Sequence, residues 1–256
     1  MLQTLTTMIT DFGIQQLILV WVVVIFAAIM RAFTGFGFAL AAVPAFTLLM
    51  TPVESVVLSI MLTLAVSLFT LKTFWGQFPI RPMLPMISFS LLGTLIGTLL
   101  LGMLDPDSFQ LWIGVLVIAA CALLTFYRPA PSEPRSDVSR AVGLASGLMN
   151  GVFAIPGPPV VVYAVATQPS PEKARGLLMT FFLFSASFGF ISYTSAGYVG
   201  VGSLWLFAIT FPAMYLGDKL GYWLFKRYGT KMYRRVALVV LFSVGFAITA
   251  RALLAG

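Results

Sequence analysis

Long apolar runs, separated by short polar punctuation, make up most of this chain. The hydrophobic positions are continuous instead of alternating, so each run predicts a helix surrounded by apolar material, not a strand of a barrel. A helix that crosses a bilayer needs about 20 mostly apolar residues. On that basis the pattern predicts helical segments at 14–34, 36–50, 55–75, 82–103, 108–127, 140–154, 158–168, 173–194, 202–226 and 232–254. Three of them, 36–50, 140–154 and 158–168, are short for a full crossing and read as halves of broken helices or as re-entrant limbs. The stretch from Arg128 to Arg140 is the one obvious linker. Pro129, Pro131 and Pro134 stand there among three arginines, Glu133 and Asp137, and neither prolines nor charges suit a buried helix.

The plan is written twice. Arg31 to Pro44 is an apolar stretch broken by Gly35, Gly37 and Pro44; Ser146 to Pro159 is broken in the same way by Gly147, Gly151, Pro156, Gly157, Pro158 and Pro159. A Pro-x-Glu or Pro-Glu turn follows each, ending at Glu54 and Glu172, and a Leu-Gly-x-x-x-Gly helix comes later in each half. Offsets of 115, 118 and 124 residues separate Pro44 from Pro159, Glu54 from Glu172, and Gly93 and Gly97 from Gly217 and Gly221. The steady drift is what small loop insertions produce in a duplicated chain. The expected division is a first repeat at 1–127, a cytoplasmic linker at 128–139 and a second repeat at 140–256.

Lys and Arg set the orientation. The linker and the turn holding Lys226, Arg227, Lys231, Arg234 and Arg235 should be cytoplasmic. Counting crossings from there puts the Glu54 turn outside and the turn at 171–175 inside, so the halves are expected to be inverted. The fold class expected is an all-α polytopic membrane protein: two inverted repeats, a broken or re-entrant helix in each, and about 8–10 helical segments.

Composition narrows the function. The chain is 60% hydrophobic and 9% charged, with mean hydropathy +1.01. That is far from the roughly 25% charge of soluble domains, so lipid is the expected solvent. The net charge of +7 lies in short loops, which fits cytoplasmic retention and argues against a nucleic-acid partner. The first 16 residues lack the basic start of a signal peptide and are expected to be mature chain. With no His, a single Cys and no carboxylate cluster, neither a metal nor a cofactor is expected, and no nucleophile–base pair points to an enzyme. Cys121 is expected to be a small buried hydrophobe.

These residues resemble the sulfite exporter TauE/SafE family of membrane proteins. The resemblance rests on Gly35, Gly37 and Pro44, their second copy at Gly147, Gly151, Pro156 and Pro159, the Pro-Glu-Lys-Ala-Arg turn at 171–175, and the Leu-Gly-x-x-x-Gly helices. It implies a carrier of small sulfur-containing anions such as sulfite, sulfonates and sulfoacetate. The family often has denser glycine clusters where this chain has Phe36, Phe38 and Ala39, and Val152, Phe153 and Ala154. A narrower or more apolar pocket should follow.

The two breaks are the candidate site. Glycine permits unusual backbone geometry, proline leaves the helix ladder, and a new helix N-terminus presents N–H groups and partial positive charge to an anion. Pro44 and the Pro158–Pro159 pair are each expected to start a second half-helix, with Gly35, Gly37, Gly151, Pro156 and Gly157 around them. The alternative is a kink that only eases packing. Thr34, Thr47, Ser146, Asn150 and Tyr163 supply polar groups near the breaks, and Asn150 could equally make an interhelical hydrogen bond. Arg31 either neutralises the anion or snorkels to the interface. Asp218 either carries a coupling proton or pairs with Lys226 or Arg175 near the cytoplasmic end.

Glycines 93, 97, 143, 147, 151, 217 and 221 read as small faces for close helix approach. The phenylalanines at 181, 182, 184, 188 and 190 read as lipid-facing bulk, and Trp75, Trp112, Trp205 and Tyr193 as interfacial belts. The expected partners are the bilayer and a small anionic solute, with a homo-oligomer left open. A membrane enzyme acting on a lipid-linked substrate and a scaffold subunit remain as alternatives; the first would need polar residues clustered at one membrane face, the second a large docking region outside the bilayer.

Overall fold

A computed structural model describes residues 13–34, 37–76, 79–126 and 132–228. Among them every regular element is helical: α1 (Ile14–Thr34), α2 (Phe38–Phe46), α3 (Pro52–Phe69), α4 (Leu84–Leu101), α5 (Pro106–Phe126), α6 (Ser136–Phe153), α7 (Gly157–Thr167), α8 (Pro171–Ser195) and α9 (Val201–Tyr228). A single helical turn, Leu71–Phe74, and a 3-10 turn, Arg81–Met83, link α3 to α4. Six of the described helices are long and apolar enough to cross a membrane. The segment expected at 232–254 lies outside the described residues, and α6 starts four residues ahead of the expected segment 140–154.

Local chemistry sets the helix starts. Thr51 and Glu54 form a reciprocal capping box ahead of α3, and the Ser170 hydroxyl accepts the Lys173 N–H at the start of α8. Both carboxylates noted in the sequence, Glu54 and Glu172, stand in first turns, where the helix dipole favours them.

Glycine faces bring two helix pairs into backbone contact. Along α6, Gly143, Gly147 and Gly151 lie against the backbone at Met86, Ser90 and Thr94 of α4, while Gly93 and Gly97 answer from α4 against Leu144 and Leu148. Along α9, Gly217 and Gly221 meet Ile25 and Ala28, then Ile29 and Ala32, of α1. A methyl group at any of these glycines would overlap a neighbour, so close approach requires their absence of side chain. Residue numbers rise together in both contacts; α4 is therefore parallel to α6, and α1 to α9.

Hydrogen bonds fix the remaining directions. Asn150 of α6 donates to Thr94 and Ser185, and Ser192 donates to Thr98, so α8 also runs with α4. The short connection 196–200 then reverses the chain into α9. It follows that α1 runs against α6.

Each of those two helices carries a shorter limb folded back on it. The Gln16 side chain, at the start of α1, donates to the Leu49 carbonyl beyond the end of α2. The Ser132 N–H, just before α6, donates to the Ala166 carbonyl at the end of α7 at 2.9 Å. Both α2, with 9 residues, and α7, with 11, thus return to the side their hairpin came from, well short of a crossing. Segments 36–50 and 158–168 are re-entrant limbs in this sense.

Three expectations need correction. Pro44 lies inside α2 instead of starting it; the helix begins after Gly37, and Pro44 is buried among core residues. Tyr193 is no interfacial residue: it is fully buried, and its hydroxyl donates to the carbonyls of Asn150 and Gly151 at 2.9 and 3.0 Å. Phe181 is also fully buried, in a core formed with α7 and the start of α4. Cys121 is buried as expected. Leu92, Leu95, Ile96 and Leu99 on the outer side of α4 are exposed, the arrangement lipid solvation allows.

Candidate functional site

The site grows from the two hairpin tips. At the first, Gly37 adopts φ 95°, a left-handed conformation nearly free of cost only for glycine, and caps α2 with no side-chain hydrogen bond. The first bond of the helix ladder runs from Ala41 N–H to Gly37 O at 3.1 Å. The N–H groups of Phe38, Ala39 and Leu40 therefore stand beyond the ladder, at the positive end of the helix.

At the second tip, Ala154 takes φ 56°. Its N–H bonds to Asn150 O at 2.8 Å, and the next N–H, of Ile155, reaches back to Met149 O at 3.3 Å. This is the closure of a helix usually ended by glycine, so alanine here stores strain on the order of 1 kcal/mol. Pro156 then caps α7, and Pro158 occupies its first turn. The Pro158–Pro159 pair does open a half-helix, as expected, but prolines carry no N–H. Of the first-turn positions of α7, Gly157 keeps the donor. The two tips are thus unequal: among the described residues α2 leaves three amides outside its ladder, α7 one.

Both tips line one cavity of about 40 Å³. Gly37 to Leu40 form one wall, Ala154 to Pro158 another, and Ile60, Thr63, Asn150, Phe182 and Ala186 close the space beside Arg31. Thr63 and Phe182 each lie eleven residues into a helix, α3 and α8, that starts from the opposite side to the other. At 1.5 Å per residue both sit about 16 Å in, near the middle of a core of about 30 Å.

Charge enters through a pair spanning 187 residues of sequence. Arg31 in the last turn of α1 donates from one terminal guanidinium nitrogen to Asp218 of α9 at 3.2 Å, with the side chains 11% and 27% exposed. The close α1–α9 packing at Gly217 and Gly221 sets Asp218 against Arg31. Arg175, exposed at the start of α8, is near enough to act electrostatically on Arg31. The two candidates pair with each other; among the described residues no ion pair joins Asp218 to Arg175, and the Lys226 side chain lies outside them.

Asn150 is fully buried. Its amide nitrogen donates to Ser185 O at 2.9 Å and lies 3.4 Å from Thr94 Oγ1, the interhelical bond foreseen. Among the described residues its Oδ1 has no hydrogen-bond partner, and neither has Thr63 Oγ1.

Arg31, Gly37, Asn150, Pro156, Gly157 and Pro158 therefore meet at the cavity. Gly151 does not; it serves the α4–α6 contact, 2.2 Å of notional methyl distance from Thr94 O. Pro44, Pro159 and Tyr163 are not among the lining residues, and Tyr163 belongs to the core around Phe181. Thr47 and Ser146 are buried away from it, Thr47 donating to Pro44 O. Gly35 lies outside the described residues, and of Thr34 the backbone is described but not the side chain. Thr63 and Ala186 escaped sequence reading, and Phe182, expected to be lipid-facing bulk, lines the cavity instead. Thr63 had a faint signal: Ser59, Thr63 and Ser67 recur every four residues along an otherwise apolar helix.

A model of a protein family, described as "Sulfite exporter TauE/SafE", matches residues 20–248. A protein of Bacillus subtilis (strain 168), named "Probable membrane transporter protein YunE", is 24% identical over 178 residues, which cover 60% of this chain and 64% of that protein. The similarity thus spans a little under two thirds of that relative's length. No solved structure matches the chain.

Proposed function

The chain belongs to the sulfite exporter TauE/SafE family, and from that premise we propose that it is a carrier moving a small sulfur-containing anion across the bacterial inner membrane, coupled to an ion gradient. One observation carries the proposal: two re-entrant tips from opposed hairpins bring helix N-termini and a buried arginine to a single mid-depth cavity. Anions bind at helix N-termini because unpaired amides and the helix dipole both favour negative charge. Interrupted helices paired across two halves are where secondary carriers hold their substrates.

The size of the cavity supports a sulfite-sized guest. At about 40 Å³ it has room for a few atoms of water size, the scale of one small oxoanion.

The two halves, 1–127 and 140–256, act as inverted repeats that rock about this site. The exchange of partners supports this: α1 packs on α9 and α4 on α6, each pair joining one half to the other with like register. The basic linker and Arg175 mark the cytoplasmic side. Asp218 serves as the proton carrier. A proton on its carboxylate weakens the bond to Arg31 and frees the guanidinium for the anion, and loss of that proton restores the pair.

The test is flux in proteoliposomes. Purified protein should move sulfite under an imposed pH gradient, and Arg31→Gln should reduce the flux while the protein stays folded. Absence of flux for sulfite, sulfonates and carboxylates alike would refute the carrier function, and unchanged flux in Arg31→Gln would remove that residue from the site.

A further inference from the structure

The basic turn that opens α8 leads into the cavity. Positions 175, 179, 182 and 186 fall within about 60° of one another around a helix, so Arg175, Met179, Phe182 and Ala186 form one stripe. Phe182 and Ala186 line the cavity. Arg175 stands about 10 Å nearer the helix start than Phe182. Exposure falls along the stripe in the same order: Arg175 is exposed, Met179 and Phe182 are half-buried, and Ala186 is buried. The core face of the helix, with Ala174, Leu177, Leu178 and Phe181, points elsewhere and packs with α7. The stripe is therefore a graded path from the start of α8 to the cavity.

Charge marks the same path. Arg31 and Asp218 each lie seventeen residues, about 26 Å, into a helix that starts on the side opposite to the start of α8. The pair thus sits between the mid-depth of the cavity and Arg175. Arg31 borders the cavity, gives one guanidinium nitrogen to Asp218, and is within electrostatic reach of Arg175. Two guanidinium groups share one carboxylate there. Glu172, three residues back on α8, accepts a hydrogen bond from the Ser170 side chain, and among the described residues no ion pair includes Arg175. Other cations of the same side are engaged where they stand: Arg135 pairs with Asp137 at 2.8 Å, Arg140 lies over the Phe89 ring and Lys219 over the Tyr215 ring.

We propose that Arg175 is the capture residue of the carrier: an anion arriving from the cytoplasmic side meets Arg175 first, follows the stripe past Met179, and passes to Arg31 at the cavity. This rests on the carrier function proposed for the cavity and on the orientation set by the basic linker. A fixed cation at the mouth of an apolar passage raises the local concentration of anions and their rate of entry about tenfold or more, and salt screens the effect. Such a cation acts on entry from one face and not on the crossing itself. Arg175 is thus a positioning residue outside the mid-depth site.

Charged thiol reagents read this passage without any transport. In a Cys121→Ala background, Met179→Cys puts the one thiol of the chain on the stripe, in everted or right-side-out membrane vesicles. The anionic 2-sulfonatoethyl methanethiosulfonate, itself a sulfonate, should modify it faster than the cationic trimethylammonioethyl reagent, and from the cytoplasmic face only. Arg175→Gln should lower the anionic-to-cationic rate ratio about tenfold at low ionic strength, Arg175→Lys should keep it, and added salt should shrink the difference. Should the cysteine variant not fold, sulfite flux with Cys121 in place decides. Arg175→Gln should then raise KM about tenfold for entry from the cytoplasmic face, with kcat within about twofold and KM from the outer face unchanged. A rate ratio indifferent to Arg175, modification from the outer face alone, or a KM that rises equally at both faces would overturn the inference and leave the carrier function standing. A ratio that responds to Arg175 while no vesicle moves sulfite, sulfonates or carboxylates would sink the carrier function and the capture role with it, the charge at the mouth alone surviving.

Discussion

Breaking the Arg31–Asp218 pair gives the sharpest test of how this fold is held and used. At 3.2 Å and an effective dielectric near 20, the attraction is about 5 kcal/mol before desolvation is subtracted. The side chains are 11% and 27% exposed, so most of that desolvation has been incurred on folding and is not recovered when one partner is removed. Removing one member of a buried pair costs about 3–5 kcal/mol; with Asp218 a quarter exposed, a smaller loss of about 2–3 kcal/mol is expected for Arg31→Gln. Asp218→Asn should cost a similar amount, since Arg31 is then left facing Arg175 alone. The double variant removes both charges and should lie within about 1 kcal/mol of wild type. Thermal unfolding in detergent at neutral pH, on all four proteins, closes the cycle. A coupling below about 0.5 kcal/mol, with the two single effects simply adding, would refute the pairing and with it the route from Asp218 to the anion.

Three further outcomes follow, two from packing and one from a cap. Gly147→Ala would put a methyl 2.1 Å from Ser90 O and 2.8 Å from the Ser90 Cα and C, so α4 and α6 must part; a loss of about 1–3 kcal/mol in thermal stability is expected, with weaker anion binding as Asn150 shifts. Gly200→Ala, with nothing within 4 Å and no left-handed backbone, should stay within about 0.5 kcal/mol in the same assay. Asp105 accepts the Ser108 N–H at 2.8 Å ahead of α5, and that bond holds its carboxyl below the usual carboxylate range. A depressed value stabilises the fold above the unfolded pKa of about 3.9 and fades as pH drops through the folded value. The melting temperature of Asp105→Ala should therefore trail wild type at neutral pH and converge with it in acid; a gap that widens in acid would contradict the cap.

Much of the architecture was legible because the solvent imposes it. Lipid leaves backbone groups no outside partner, so apolar runs of suitable length become helices, and positions 14–34 and 173–194 could be drawn to within a few residues. Glycine pairs four apart announced close contacts for the same reason. What they contact was not legible. Nothing in the local pattern says that Gly93 and Gly97 meet the glycines of α6, or that Gly217 and Gly221 meet α1.

The site divides along the same line. Glycine, proline and a lone arginine marked the two tips, since breaks in apolar helices need these residues whatever the fold around them. The misplacement of Pro44 has a local cause: Gly37 can take φ 95° and start the helix seven residues earlier, and sequence cannot tell which breaker the backbone will use. Tyr193 was misassigned because a tyrosine near a helix end suits a membrane interface until neighbouring helices offer its hydroxyl two carbonyls.

By itself, then, the sequence determined the solvent, the helical class and the two places where the chain must turn back. Periodicity, backbone permissiveness and charge are properties of neighbouring residues, and they act before any tertiary contact exists. The tertiary structure alone decided that Arg31 meets Asp218, that α2 supplies more amides than α7, and that Asn150 keeps an idle oxygen beside the cavity. Those facts depend on distances between segments far apart in the chain, and only packing sets such distances.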